Sequence, residues 1–457
     1  MREGRDVSRR RFLAAGMATG GILFSGKGMA AIKSKQRIAT FRCDVTPPLG
    51  TPIYSGYKPL ATIEHPLLAK GIVLEDRGKR YVLCAVDWCE LNNGTHTSFC
   101  KAVAKAAGTD PGFVAIQTVH QHTAPMADAD AMRMAEQTAE PPACTPSAWI
   151  EEMGARIADA AGKAVESLVP FNQVGTSEAK VDRVASNRRV PIGDGKVGFR
   201  GSSCKDANLR ALPEGLIDPM LKTITFGVDG KPLARLHYYA THPQSFYGDP
   251  RTSYDFVGIA RERLQEKEGV FQIYFTGCGG NVAAGKYNDG LPPARAELAD
   301  RLYAAMEASV AATQFARTKP IHWSRTAILM IPRNDGEYDE AASRKVLNDP
   351  KAAVLTRLGS ASNLVFHARQ SIPVELSALH IGHVHIVHLP GEPMIEYQFY
   401  AQEQRPKDFV AVAGYGDCGM GYICLERFFA EGGYEPTASA VIPASEKIFR
   451  KSITDLF

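Results

Sequence analysis

Phe113-Val114-Ala115-Ile116-Gln117-Thr118-Val119-His120-Gln121-His122-Thr123-Ala124-Pro125 is the stretch from which this sequence is best read. Its largely apolar first half predicts a buried strand, which runs without a turn signal straight into two histidines. In an extended chain the side chains at i and i+2 share a face. The spacing therefore predicts that His120 and His122 project together where the strand leaves the core. A lone histidine in such a place is usually a satisfied core residue; a His-x-His pair at a strand's end is as readily a metal-ligand pair.

Working outward, short apolar strands alternate with helical stretches. Gly71 to Asp76 and Tyr81 to Glu90 read as two strands joined by Arg77-Gly78-Lys79, and Thr95 to Ala107 as a helix ending near Gly108. Residues 126–145 read as a loop rich in Ala, Met and Pro. Trp149, Ile150, Met153, Ile157, Ala160, Ala164 and Leu168 recur at helical spacing and predict a helix over 147–168. Strands follow at Leu233 to Thr241, Phe271 to Thr276, Leu379 to Leu389 and Phe409 to Gly414. Helices are expected at Phe256 to Gln265, Pro293 to Thr313 and from Met394. No Pro/Gly/Ser-rich break and no repeat divides them, so the expected fold is α/β: mixed β-sheets layered with helices in one large domain over 31–457.

Composition narrows the classes. With 457 residues, 45% apolar and 22% charged, the chain is globular rather than disordered. The formal charge of +4 is carried by residues 1–30, where six Lys/Arg stand against two acids. The neutral remainder gives no electrostatic footprint for nucleic acid. Those 30 residues read as a twin-arginine signal peptide: Ser8-Arg9-Arg10-Arg11-Phe12-Leu13, a Gly-rich apolar stretch to Phe24, then Gly28-Met29-Ala30. The apolar stretch is short of the roughly 20 residues that span a bilayer. It is an address rather than an anchor, and the expected location is periplasmic or secreted. Nine scattered cysteines, with no C-x-x-C spacing, argue against a disulfide framework and a thiolate zinc site.

Two more strand ends offer metal ligands: His242 in Ala240-Thr241-His242-Pro243, and Glu392 in Leu389-Pro390-Gly391-Glu392-Pro393. His, His and Glu match the ligand count of a catalytic Zn2+ site with one position left for water. A second His-x-His pair, His383 and His385, followed by His388, is almost as good on spacing alone. Thr276-Gly277-Cys278-Gly279-Gly280-Asn281-Val282 is glycine-dense but lacks both G-x-G-x-x-G and a Walker lysine, so it gives nucleotide binding little support. Cys278 as a nucleophile would need a nearby base.

Taken in order, these motifs resemble the neutral/alkaline ceramidase family. Ala39 to Pro48 is similar to the strand that opens its catalytic domain, and Gly56-Tyr57 follows. Val119 to Pro125 is similar to the family's "T-H-T-H-S-G-P", Asn187-Arg188 to an Asn-Arg pair, His242 to its "H-P/G-T-S" strand end, and Leu389 to Glu392 to "V-P-G-E". Gly421-Tyr422 and Tyr434-Glu435 resemble "G-Y-…-Y-E", with the tyrosines 12 apart as in the family. The resemblance implies that His120, His242, Glu392 and Tyr422 hold Zn2+. It also implies that His122 and Tyr434 are catalytic, and that Arg188 and Tyr434 meet the substrate. Tyrosine is outside the usual zinc ligands, and only the resemblance singles out Tyr422. His383 and His385 fall where the family has no ligands and are expected to be structural.

The sequence also departs from the family. Gly280-Asn281-Val282-Ala283-Ala284 replaces "N-x-G-D-V-S-P", Ile423 to Phe429 replaces "V-T-T-P-E-E-Y", and residues 126–145 replace a Gly-rich continuation. The family's C-terminal immunoglobulin-like domain has no counterpart after Tyr434, where only a helical stretch from Ala444 to Phe457 is expected. The implied activity is zinc-dependent hydrolysis of an amide, of N-acylsphingosine or another N-acyl lipid, by a metal-activated water. Alternatives are an esterase or deacylase with the same site, a non-catalytic zinc-binding protein of the same fold, or an exported redox enzyme, the last suggested by the leader alone. The expected partner is a small-molecule or lipid-like substrate, with which peripheral membrane contact is compatible.

Overall fold

Alternation of apolar residues along the strands shows where the core lies. In Leu68–Asp76, Ile72 and Leu74 face one core while Ala69 and Val73 face another; in Lys79–Val86, Leu83 and Ala85 oppose Val82, Cys84 and Val86. A sheet apolar on both faces must be covered on both. On one face lie the helices Asn93–Ala107 and Ser147–Val165, which contribute Phe99, Val103, Ile150, Met153 and Ile157. The other face packs onto a second sheet through Phe226, Leu236 and Ile273. The helices Asp255–Glu268 and Pro293–Ala311 close that sheet's outer side. The result is helix, sheet, sheet, helix. The structure is a computed structural model that describes residues 35–53 and 58–457, in one compact unit spanning Ser34–Phe457. The leader reading and the Gly56-Tyr57 match fall outside the described residues.

The first sheet has the order Val169–Pro170, Gln36–Asp44, Leu68–Asp76, Lys79–Val86, Val114–Thr118, with only the last pair parallel. The second runs Phe271–Thr276, Lys231–Tyr239, Met220–Val228, Gln173–Lys180, Gln314–Arg317, with only the first pair parallel. A third consists of Ile321–Ile328, Val374–Ile381, Val384–His388 and Phe409–Ala413, again with one parallel pair, the last. The α/β, mixed-sheet class expected from the sequence is the class observed.

Two local expectations fail for identifiable reasons. Leu379 to Leu389 is not one strand but the two arms of a hairpin, in which His380 pairs with His385. The chain reverses at Gly382, whose φ of +64° suits glycine, and apolar residues on both sides hide the turn. Residues 126–145 are not all loop either: Ala129–Glu136 is a helix, capped by the Asp128 carboxylate, which accepts from Ala131 N at 3.1 Å. Among the described residues no helix is long and apolar enough to cross a membrane.

Candidate metal centre

The parallel strands of all three sheets end at one place, tied together by their backbones. Thr118 N donates to Tyr415 O (2.8 Å), Gly414 N to Thr276 O (2.9 Å), Gly277 N to Tyr239 O (2.9 Å) and Leu389 N to Ala413 O (2.8 Å). Gln117 Nε2 adds bonds to Leu389 O, Ala413 O and Gly414 O at 2.9 to 3.1 Å. The residues just past these ends therefore meet in space: His120 after one strand, His242 after a second, Glu392 after a third. The carboxyl ends of parallel strands are where such sheets place their sites.

His120 and His122 come together, but not by strand alternation. The strand stops at Thr118, and His120 has a φ of +70°, the left-handed region that costs a non-glycine residue about 1 kcal/mol or more. His120 N bonds Trp88 O at 2.9 Å and holds that turn. The two rings lie 4.9 Å apart, edge to face, and His122 is 5.8 Å from the ring of His242.

Four side-chain atoms converge. His120 Nε2 is 3.1 Å from His242 Nε2 and 3.0 Å from Glu392 Oε2. His242 Nε2 is 3.2 Å from the same oxygen and 3.3 Å from the Tyr422 hydroxyl. Each imidazole gives its other nitrogen to a carbonyl: His120 Nδ1–H to Cys89 O at 2.8 Å, His242 Nδ1–H to Gly279 O at 2.7 Å. Those bonds set the tautomers and leave both Nε2 lone pairs aimed inward. Two lone pairs and a carboxylate oxygen facing one another at 3.0 to 3.2 Å repel unless a cation sits among them. Ligands about 2 Å from a tetrahedral Zn2+ lie about 3.3 Å from each other, so this donor set fits such an ion. A second grouping, Cys89 with His120 and His122, also has its ligand atoms close together. There, however, the nearer nitrogen of His120 is spent on Cys89 O, and burial pushes the Cys89 thiol well above its ordinary value.

Electrostatics agree with a cation site. Burial pushes the Glu392 carboxyl up, but His120 and His242 outweigh it and hold the group well below the usual carboxylate range. Burial, then the Arg188 charge, drops His242 to about 4. Burial with His120 and His242 beside it also drops His122 far below its ordinary value. The Arg188 guanidinium, 3% exposed, lies 5.3 Å from the ring of Tyr422 and 5.6 Å from that of Tyr434, with Nε 3.3 Å from Glu435 Oε1. Its NH2 also donates to Gly280 O. Tyr434 is at the rim, 40% exposed, its ring 5.7 Å from Tyr422 and 5.1 Å from Phe199.

The rival histidines lie elsewhere. His385 Nε2 meets Asp408 Oδ2 at 3.1 Å and its Nδ1 meets His380 at 2.7 Å, while His388 bonds Ser377 and His383 sits in the hairpin turn. His385 and His388 are thus engaged by neighbours in or beside the third sheet. Cys278 is buried and its thiol is pushed well up. The glycine-dense segment is part of the site's frame. Gly279 O fixes His242, His242 N donates to Val282 O, and Asn281 Oδ1 accepts from Ile395 N. A Cβ on Gly280 would lie 2.7 Å from Glu392 O and 2.8 Å from Pro393 O.

Pattern reading missed the residues that act through their backbone, Cys89 and Gly279, and also Tyr415, whose ring stacks on His120 at 4.3 Å. No spacing rule marks any of them.

The chain has the fold of solved ceramidases. A neutral ceramidase from Pseudomonas aeruginosa superposes with a TM-score of 0.67 at 15% identity, over 93% of this chain and 74% of that one. A ceramidase complexed with C2 superposes with a TM-score of 0.65 at 14% identity, over 93% of this chain and 75% of that one. No protein-family model and no curated protein matches the sequence.

Proposed function

We propose that this chain is a zinc-dependent hydrolase that cleaves an N-acyl amide with water, as a ceramidase does. The observation that carries the reading is the inward-facing set of His120 Nε2, His242 Nε2, Glu392 Oε2 and the Tyr422 hydroxyl, at 3.0 to 3.3 Å. These four would hold the ion, which when bound would supply Lewis-acid polarisation of the scissile carbonyl and a more acidic water. His122, kept neutral by burial, donates an N–H to the oxygen on which charge develops. Burial pushes the Tyr422 phenol well above its ordinary value, and the Arg188 charge against its ring offsets part of that rise. Tyr434 and Phe199, about 40% exposed, give the mouth an aromatic wall suited to an acyl chain.

Metal analysis of the purified protein is expected to find about one zinc per chain. Assays on ceramide, N-acyl amino acids and acyl sugars are expected to find amide cleavage. His120→Ala is expected to abolish metal and activity together, and retained activity refutes the reading. A zinc-loaded protein silent on every amide and ester overturns the enzyme reading and leaves a binding protein. We further propose that residues 1–30 direct export by the twin-arginine route. An Arg9→Lys/Arg10→Lys double variant should then accumulate in the cytoplasm, and its appearance outside that compartment defeats this. Co-sedimentation with vesicles tests peripheral membrane contact, with binding expected to depend on Phe199.

A further inference from the structure

Glu90 is a carboxylate in this site that the ligand set does not use. The two-residue strand Glu90–Leu91 runs parallel to Met126–Ala127, directly after the His-x-His segment. Cys89, one residue before it, donates its N–H to Pro125 O at 2.9 Å and receives His120 Nδ1–H on its carbonyl. Glu90 is thus built onto the same turn that aims His120 at the metal position. Its side chain is half-buried, within electrostatic reach of Glu392, His120, Asp128 and Tyr434. Asn92 Nδ2, from a residue only 2% exposed, holds Oε2 at 2.9 Å. Among the described residues no donor holds Oε1, and no lysine or arginine pairs with the group. A carboxylate kept beside another carboxylate with no cation of its own costs stability, and such groups collect where chemistry is done.

Amide hydrolysis needs this kind of group. The leaving nitrogen must be protonated before it departs, and the attacking water must lose a proton. Glu392 is committed to the metal position, and Arg188 stays charged throughout. We infer that Glu90 is a catalytic proton carrier, an inference that rests on the hydrolase reading above. Its free Oε1 takes a proton from water as the water oxygen bonds to the carbonyl carbon. The same proton then passes to the nitrogen as the C–N bond breaks and its electron pair stays on nitrogen, and Glu90 returns to carboxylate.

The test is Glu90→Gln, with Glu90→Asp beside it, assayed on an N-acyl amide and on a nitrophenyl ester of the same acyl group. A nitrophenolate leaves without needing a proton. Glu90→Gln should lower kcat on the amide by about 10²-fold or more, with KM, zinc content and melting temperature near wild type. On the ester the loss should be at least about tenfold smaller, and Glu90→Asp should recover part of the amide rate. Equal losses on both substrates, no loss on either, or a fall in zinc content that tracks activity overturns the inference. A wild type that does not cleave the amide at all sinks the hydrolase reading, and the role of Glu90 with it.

Discussion

Replacing Glu392 by Gln tests the metal centre most directly. The substitution preserves side-chain volume and the positions of both terminal atoms, and removes one negative charge. In the wild type, Glu392 Oε2 stands 3.0 Å from His120 Nε2 and 3.2 Å from His242 Nε2, while the two nitrogens stand 3.1 Å apart. An ion among them loses its only carboxylate ligand in the variant. Leaving a buried charge without its partner costs about 3–5 kcal/mol. At 1.4 kcal/mol per factor of ten, the affinity for zinc should fall by about two to three and a half orders of magnitude. The metal-free variant should be no less stable than the metal-free wild type, to within about 1 kcal/mol, because without the cation the carboxylate only faces imidazole lone pairs, which a neutral carboxamide can satisfy. Its carboxamide N–H2 can donate to the imidazole lone pairs that otherwise face the cation. Chelator competition, with metal counted by mass spectrometry, measures the first quantity, and denaturant unfolding of stripped protein measures the second. A Glu392→Gln protein that keeps wild-type zinc through chelator dialysis refutes the ligand assignment. One that loses several kcal/mol without metal shows the carboxylate to be structural.

Gly280→Ala would drive a Cβ to 2.7 Å from Glu392 O and 2.8 Å from Pro393 O. It should cost about 1–3 kcal/mol and weaken zinc binding at least tenfold, measured by unfolding and chelator competition; wild-type values for both would show that the turn gives way. Acid should destabilise the fold through His237, which is fully buried between Thr223 and Gln272 and held at about 4, chiefly by burial. Above pH 6.5 neither state holds the proton; as pH falls the unfolded chain takes one that the native state refuses, so stability is lost between about 6.5 and 4. At about 1.36 kcal/mol per unit this approaches about 3 kcal/mol, and His237→Gln should remove that share of the difference between unfolding at pH 7.5 and at pH 4.5. Gln117→Leu should cost about 1–3 kcal/mol in the same assay, because Gly414 O loses its donor while Leu389 O and Ala413 O keep backbone partners.

What the sequence disclosed follows from how each residue works. His120, His242 and Glu392 each terminate an apolar run, and a polar residue at the mouth of a strand is visible to pattern reading. Tyr422 is not, because tyrosine is an ordinary core residue and only its place in an ordered set of motifs drew notice. The alternation argument paired His120 with His122 for the wrong reason, since the chain has already left the strand and His120 turns through a positive φ. The His383 to His388 run looked like a rival only while Leu379 to Leu389 was taken as one strand. As a hairpin it sets His385 against His380 and Asp408 and turns His388 to Ser377. Cys89 and Gly279 were invisible because they contribute carbonyls, which any residue has.

That last point bears on how so divergent a sequence could keep the proposed metal centre. The two ligand imidazoles are oriented by backbone oxygens, and the strand ends that carry all three principal ligands are joined by backbone bonds. Side-chain identity is constrained at few framing positions. Gly280 has no room for a Cβ, and Asn281 must reach Ile395 N and Glu396 together. Gln117 must hold the ends in register. The segment around Gly280 can therefore vary at its other side chains and still supply its carbonyls. The walls are under no such rule. The hairpin Arg189–Gly193 and Lys196–Phe199 reaches the mouth through Phe199, which meets Tyr434, and Arg189 ties it to Glu435. None of these contacts fixes a ligand directly, apart from what Arg188 transmits to Tyr422. Selection on substrate can rework Phe199, Tyr434 and their neighbours without moving His120, His242 or Glu392. The ion and its ligands should accordingly tolerate exchange of the whole 189–199 hairpin, and what such an exchange should move is KM among acyl amides.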